Sequence, residues 1–287
     1  LNRMLRELDR RGLMENTIVI VTSDNGMPFP RSKGNNYEIA HHMPLAISWP
    51  AGIRNSGRQV DSLVSFLDFA PTMLEAAGVS ASEVNMQQIT GKSLFPIFND
   101  TVSQPENFRA FLLVGKERHD AGRPNNQGYP IRGIVQGDYL FLRNFEPSRW
   151  PSGNPETGYL NTDGGATKTL ILNHGKHPES MHWWKTNFGK RVPEEFYNLK
   201  SDPDCIVNLT ERGDQTNKRE MAAKMYALLT NQGDLRMFGK GHQYESYLFS
   251  SPGQQDLYER YMAGEPIQTG WVNQSDFAVQ PSELIEK

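Results

Sequence analysis

Thr17-Ile18-Val19-Ile20-Val21-Thr22, followed at once by Ser23-Asp24-Asn25-Gly26, decides how this 287-residue chain is read. The first six residues are all β-branched and read as a strand. Apolar residues fall on both faces rather than alternating, the pattern of a central strand in a parallel sheet covered above and below. In open α/β sheets ligands bind just beyond the carboxyl ends of strands, where Asp24 and Asn25 fall. A carboxylate and an amide carbonyl are hard oxygen donors, the type that Ca²⁺ or Mg²⁺ takes. Asp-Asn-Gly is also a common turn tripeptide, because these residues tolerate positive φ. A hairpin would need a partner strand, and Met27-Pro28-Phe29-Pro30 cannot pair as a central one, since prolines lack the ladder donor.

Working outward, the next residues are Lys33-Gly34-Asn35-Asn36-Tyr37-Glu38, then His41-His42-Met43-Pro44 and Trp49-Pro50. Together with Ser23-Asp24-Asn25-Gly26 this resembles the metal and sulfate half-site of the type I, formylglycine-dependent sulfatases of the alkaline-phosphatase-like superfamily. Those enzymes have a strand ending in Ser/Thr-Asp-Asn-Gly, then Lys-Gly-x-x-Tyr-Glu, a Pro opening the next strand, and a Trp-Pro. The resemblance implies that Asp24 and Asn25 are ligands of one Ca²⁺ ion and that Lys33 acts in catalysis by contacting the sulfate. Many members continue Gly-Gly-x-Arg after the Tyr-Glu. Here the chain has Ile39-Ala40-His41-His42, with His42 at the Arg position as a candidate substrate contact.

The family's nucleophile is a formylglycine made from Cys or Ser in a C-x-P-x-R type motif, upstream of the Asp-Asn-Gly strand. No such motif occurs in this sequence. The chain is therefore expected to be the C-terminal portion of a sulfatase. Ca²⁺ takes about six to eight oxygens, and only two ligand residues are offered here. By itself the chain is expected to bind calcium weakly and to turn over no sulfate ester.

Composition sets outer limits. A net charge of −3 with no basic stripe gives no reason to expect nucleic acid as a partner. No apolar run approaches twenty residues, so no membrane span is expected. The single cysteine, Cys205, excludes an internal disulfide or a cysteine metal cluster.

Elements follow in order. Leu1, Met4, Leu5 and Leu8 share a helix face that Gly12 can close. Pro44 to Trp49 reads as a second strand and Leu63-Val64-Ser65 as a third. Asp68 suits the N-cap of a helix running to Gly78, with Phe69, Met73 and Leu74 toward the sheet. Asp68-Phe69-Ala70-Pro71-Thr72 and Gly91-Lys92-Ser93-Leu94 resemble packing signatures of the family. A polar linker spans 99–107, and a strand runs from Phe108 to Val114. Gln136-Gly137-Asp138 turns a hairpin between 131–135 and 139–143. Glu195 to Leu199 is another strand, and Asn217 to Leu229 is a helix with Met221, Met225, Leu228 and Leu229 at helical spacing. The expected fold is α/β: the C-terminal part of an alkaline-phosphatase-like α/β sandwich over 1–106, a smaller α+β subdomain of antiparallel sheet plus helix over 107–235, and an irregular extension over 236–287.

Two further constellations carry chemistry. Gly115-Lys116-Glu117-Arg118-His119-Asp120, with Arg123, is either a solvated charged loop or a substrate loop, since guanidinium forks suit carboxylates and sulfates. Arg118, His119 and Arg123 are the candidate sugar or sulfate contacts. His174, His177 and His182 lack the i, i+4 spacing of helical metal pairs, and Pro178 interrupts them. Trp183-Trp184 could stack on a sugar or fill the core, and core is the better reading. The resulting expectation is a calcium-dependent hydrolase of sulfate esters on sulfated carbohydrate, periplasmic or secreted by family analogy. The alternatives are a sulfamidase, a phosphodiester or phosphonate hydrolase of the same superfamily, or a non-catalytic carbohydrate-binding relic.

Overall fold

A computed structural model describes residues 1–83 and 86–277. The chain divides into two compact units, one built from Leu1–Ser23 and Pro44–Leu112, the other from Asp24–Met43 and the chain from Leu113 onward.

In the first unit, strand β1 (Val19–Thr22) pairs with β2 (Leu45–Ser48). The pairing is antiparallel, with Val19 opposite Ser48 and Thr22 opposite Leu45, and among the described residues this sheet has two strands. This corrects the expectation of a covered, parallel central strand. Val21 and Thr22 are exposed, and Val19 and Ile20 are only half-buried. β-Branching dictates extended backbone, but it does not dictate which strand lies alongside or in which direction. Pro44 stands just before the first paired residue of β2, where its missing N–H costs no ladder bond.

The core of this unit is Leu94, Ile97, Phe98 and Phe108, with Ile47, Trp49, Val64, Phe69 and Phe95 packed against it. Trp49 meets Phe95 edge-on at 5.8 Å. The opening helix, Asn2–Arg10, buries none of its residues. Gly12, at φ 67°, closes it in the left-handed region as its sequence position suggests.

Asp68 departs from its expected role. It makes no side-chain cap to the helix Phe69–Ala76. Instead Ser65 caps a single turn, Phe66–Asp68, and the Leu63–Ser65 strand does not form. The fully buried Asp68 carboxylate accepts from the Ser65 and Lys92 amides, both at 2.8 Å, and from Arg109 at 2.5 Å. Thr72 Oγ1 accepts from the Leu94 amide at 2.9 Å. The Asp68–Thr72 and Gly91–Leu94 signatures are thus two halves of one hydrogen-bonded joint. Gly91 is required there, because a Cβ would lie 1.9 Å from the Leu67 carbonyl oxygen.

The second unit carries a four-stranded sheet in the order β3 (Phe111–Lys116), β4 (Ile131–Gln136), β5 (Tyr139–Asn144), β6 (Glu194–Asn198). Helix Pro105–Phe108 precedes β3, so the strand starts three residues later than its sequence suggests. β4 and β5 form the expected hairpin, closed by Gly137 at φ 54° and Asp138 between the paired Gln136 and Tyr139. β6 runs antiparallel to β5. Helix Gln215–Asn231 is capped by Asp214 and buries Met221, Met225 and Leu229, the spacing read from the sequence. The 145–193 stretch holds two helices, Ala166–His174 and Met181–Phe188. Beyond Gly239 the chain packs Leu257 and Ile267 on Ala121 and Leu160. The last ten residues of the expected extension, 278–287, lie outside the described residues.

Candidate functional site

The segment from Asp24 to Met43 follows β1 after the single residue Ser23 and belongs to the unit with the four-stranded sheet. Asp24 is exposed, and one of its carboxylate oxygens accepts from the Asn25 amide at 3.0 Å. Asn25 Nδ2 donates to the Gly26 carbonyl at 2.8 Å. Gly26 owes its identity to space rather than to φ. A Cβ there would sit 2.4 Å from Ser32 Oγ and 2.5 Å from the Ile39 carbonyl oxygen. The Asp-Asn-Gly turn is therefore packed down on its own loop.

The loop is anchored by Arg31 and Tyr37. Arg31 adopts φ 67° and is buried, and its guanidinium donates to the carbonyls of Thr186 (3.0 Å), Asp204 (3.2 Å) and Cys205 (2.6 Å). It also lies 3.9 Å over the Tyr37 ring, a cation–π contact in a desolvated setting. The Tyr37 hydroxyl donates to Glu195 at 3.0 Å, and Tyr197 donates to the same carboxylate oxygen at 2.6 Å. Burial pushes the Tyr37 phenol up to about 12, so it stays a donor. Glu195 Oε1 accepts from Asn144 at 2.7 Å, so β5 and β6 both hold the acceptor to which the loop is bolted.

What the anchor presents is Lys33. Its ammonium donates to both oxygens of Asp163, at 3.2 and 2.9 Å, in a pair whose side chains are 29% and 23% exposed. Gly34 follows at φ 76°. A Cβ on it would approach the Asn161 carbonyl oxygen to 2.8 Å and His119 Nδ1 to 3.3 Å. Lys116, at the end of β3, donates to the Gly34 carbonyl and, at 3.4 Å, to that of Pro151. Burial, reinforced by Arg123 and Arg191, holds the Lys116 ammonium well below its ordinary pKa.

Against Gly34 the fold brings His119, a candidate substrate contact. Burial, then the charges of Lys116 and Lys33, lower it to about 4, so the imidazole is neutral at pH 7. Asp120 rises to about 6, through burial and then the nearby Asp163 carboxylate. Arg118 and Arg123 are engaged differently from the substrate contacts the sequence suggests. Arg118 donates to the carbonyls of Asn126 (3.2 Å) and Tyr247 (2.6 Å) and covers the Phe249 ring. Arg123 is 1% exposed, and its fork donates to Trp150 and Pro151 carbonyls, both at 2.9 Å. It shares the Pro151 carbonyl with Lys116, so these donors are taken up inside the protein.

His42 is open to solvent, and its Nδ1 lies 2.6 Å from Glu38. Burial raises the Glu38 pKa, but the hydrogen bonds and charge of His41 and His42 outweigh it, and the net shift is downward. Among the described residues His42 pairs with Glu38 rather than with the Lys33 cluster.

Among the described residues no three His, Cys, Asp or Glu side chains converge as a metal cage. The donor set at Asp24 and Asn25 nonetheless fits a hard cation: a carboxylate beside an amide, at the end of a strand. Trp184 is half-buried and packs edge-on 6.1 Å from Trp150, while Trp183 is exposed beside His182.

Sequence reasoning missed Asp163, Lys116 and Glu195. Lys116 sits within the quoted charged loop and was legible as a cation. Asp163 is separated from Lys33 by 130 residues, and only the tertiary fold joins them.

Residues 1–79 match the family model described as Sulfatase. The chain is 28% identical over 240 residues to the ulvan-active sulfatase of Formosa agariphila, covering 80% of this chain and 36% of that protein. It is 26% identical over 213 residues to the human N-sulphoglucosamine sulphohydrolase, covering 72% of this chain and 40% of the relative. A solved structure of a protein in complex with its substrate, D-glucosamine-2-N,6-O-disulfate, superposes with a TM-score of 0.54 at 20% identity, over 81% of this chain and 38% of the other. The chain thus spans between a third and two fifths of the length of these relatives.

Proposed function

We propose, for a chain that belongs to the sulfatase family and has its alkaline-phosphatase-like α/β fold, that it supplies the Lys33 arm and part of the metal site of an enzyme that hydrolyses sulfate esters on carbohydrate. The observation that carries this reading is the built presentation of Lys33. A motif that served packing alone would not hold an ammonium partly open to solvent on a loop bolted through Arg31 and Tyr37.

A sulfate monoester is an anion, and its hydrolysis needs positive groups aimed at the oxygens where charge builds up. Lys33 is the group in this chain placed to take such an oxygen. Neutral His119 beside it can donate or accept one hydrogen bond to the sugar or to the leaving oxygen. Asp24 and Asn25 would hold a Ca²⁺ ion together with further oxygen ligands, and that ion would polarise a sulfate oxygen as a Lewis acid. The formylglycine nucleophile would come from sequence beyond these 287 residues. The relatives' names support sulfated carbohydrate as the substrate class. Periplasmic or secreted localisation rests on the family analogy, and no helix among the described residues is long and apolar enough to cross a membrane.

The similarity to an N-sulphoglucosamine sulphohydrolase supports a second reading, cleavage of an N-sulfate rather than an O-sulfate. One experiment addresses both. Sulfate release by the full-length protein is measured on O-sulfated ulvan oligosaccharides, glucosamine 6-O-sulfate and N-sulfoglucosamine, with and without Ca²⁺ chelation. Asp24→Ala and Lys33→Met should each lower kcat/KM by about a hundredfold or more, as removal of a charge-stabilising group does. Full activity in Lys33→Met would remove the proposed role.

A further inference from the structure

Lys33 does not wait alone. Asp163 holds its ammonium with both carboxylate oxygens, at 3.2 and 2.9 Å. Both side chains are about a quarter exposed, at 29% and 23%, so a dissolved anion can reach the pair. The backbone on either side of Asp163 is pinned. The Thr162 carbonyl accepts from the buried Lys168 ammonium at 2.7 Å, and the Gly164 amide donates to Trp271 at 2.6 Å. The Asn161 carbonyl lies close against Gly34. With the backbone fixed at both ends, the part of Asp163 left to move is its side chain.

Carboxylate and sulfate oxygens are acceptors of the same kind and seek the same charged donors. They cannot both hold the two Lys33 protons now taken by Asp163. We propose that Asp163 is the resident counter-ion of Lys33, which an arriving sulfate must displace and which competes for the ammonium again when sulfate is released. This rests on the reading of Lys33 as a sulfate contact. Asp163 is then a positioning residue: it keeps the Lys33 side chain extended toward the site and weakens binding of the sulfate anion. With the carboxylate turned away, the Lys33 ammonium and neutral His119 remain, a pair of groups suited to a sulfate anion.

The test is a titration of the ¹⁵N-labelled chain with sodium sulfate at constant ionic strength, following the Gly34 amide resonance. Asp163→Asn keeps the shape and removes the competing charge. It should saturate at about two- to fivefold lower sulfate than the parent chain, the range expected from a partly exposed ion pair. Asp138→Asn, in the exposed hairpin turn, removes the same charge away from Lys33 and should leave the midpoint unchanged. Lys33→Gln should abolish the saturable shift. If Lys33→Gln abolishes it while Asp163→Asn binds sulfate equally or more weakly, Asp163 is no competitor and the proposal is overturned, while the reading of Lys33 stands. An equal gain in Asp138→Asn would reduce the effect to net charge and overturn it too. A shift that survives Lys33→Gln would overturn both. A circular dichroism spectrum matching the parent's confirms that each variant is folded.

Discussion

Two loops of this chain offer cations to a candidate ligand, and the structure uses them in opposite ways. In Arg31–Tyr37 the anchoring is done by Arg31 and Tyr37, and Lys33 is left with a carboxylate partner and partial access to solvent. In Gly115–Arg123 the cations themselves are the anchors. Arg118 and Arg123 give their forks to backbone carbonyls, and Lys116 gives its ammonium to Gly34 and Pro151. The difference teaches that charge alone does not make a ligand site. A cation can serve a ligand when its donors meet a partner that the ligand can replace, as a mobile carboxylate can and a buried carbonyl cannot.

That contrast can be broken most forcibly at Arg123. Replacing it by Met removes two charge-assisted bonds to the Trp150 and Pro151 carbonyls inside the protein. Each such bond contributes about 1.5–3 kcal/mol, and relief of the buried charge, which lowers the Arg123 pKa to about 10, offsets part of the loss. A net destabilisation of about 2–4 kcal/mol is expected, read as a lower urea midpoint by tryptophan fluorescence. Lys33→Gln, on the other loop, should move the midpoint by less than about 1 kcal/mol, as partly exposed pairs do. Equal losses in the two variants would erase the distinction.

Gly34→Ala is the next in size. Its Cβ would need φ 76° and would press to 2.8 Å on the Asn161 carbonyl oxygen. Left-handed backbone costs a residue with a Cβ about 1–2 kcal/mol before the clash is counted. The variant should be destabilised by about 2 kcal/mol and should also displace Lys33 from Asp163. Arg118→Met should cost less, about 1 kcal/mol, because its two carbonyl partners lie nearer the surface. Its limited-proteolysis pattern should show earlier cleavage around Tyr247, whose carbonyl it holds.

These sizes track how much of the site could be read in advance. Asp24, Asn25, Lys33 and Gly34 were legible because the loop that needs them is one contiguous run. The hairpin at Gly137-Asp138 and the helix burying Met221, Met225 and Leu229 were legible for the same reason: turn chemistry and periodicity are local. The neighbour of β1 was not, because a β-branched run specifies extension and leaves direction to whatever strand arrives. Asp68 looked like a cap because caps and buried acceptors share one chemistry, and Lys92 and Arg109 decide between them from a distance. Asp163 sits in a Gly-, Asn- and Thr-rich passage with no period. Its carboxylate gains meaning only where the fold carries it to Lys33.

The finest test separates His119 from its neighbour Asp120 by their opposite dependence on pH. His119 has a folded pKa of about 4, below its ordinary 6.5. Between those values the unfolded chain binds a proton that the folded chain refuses, so stability falls as pH drops from 6.5 to 4. Asp120 has a folded pKa of about 6, above its ordinary 3.8. There the folded chain binds the extra proton, so stability falls as pH rises from 3.8 to 6. Across pH 4–6 the two slopes oppose each other, and the pair should contribute little net pH dependence. Each single variant should uncover the other's slope. Urea midpoints for Asp120→Asn should decline more steeply than the parent's on acidification over this window. Those for His119→Gln should change in the opposite sense relative to the parent. Parallel profiles for all three proteins would mean that neither group carries its shift from this cluster, and the loop would return to the solvated state that its charge alone suggests.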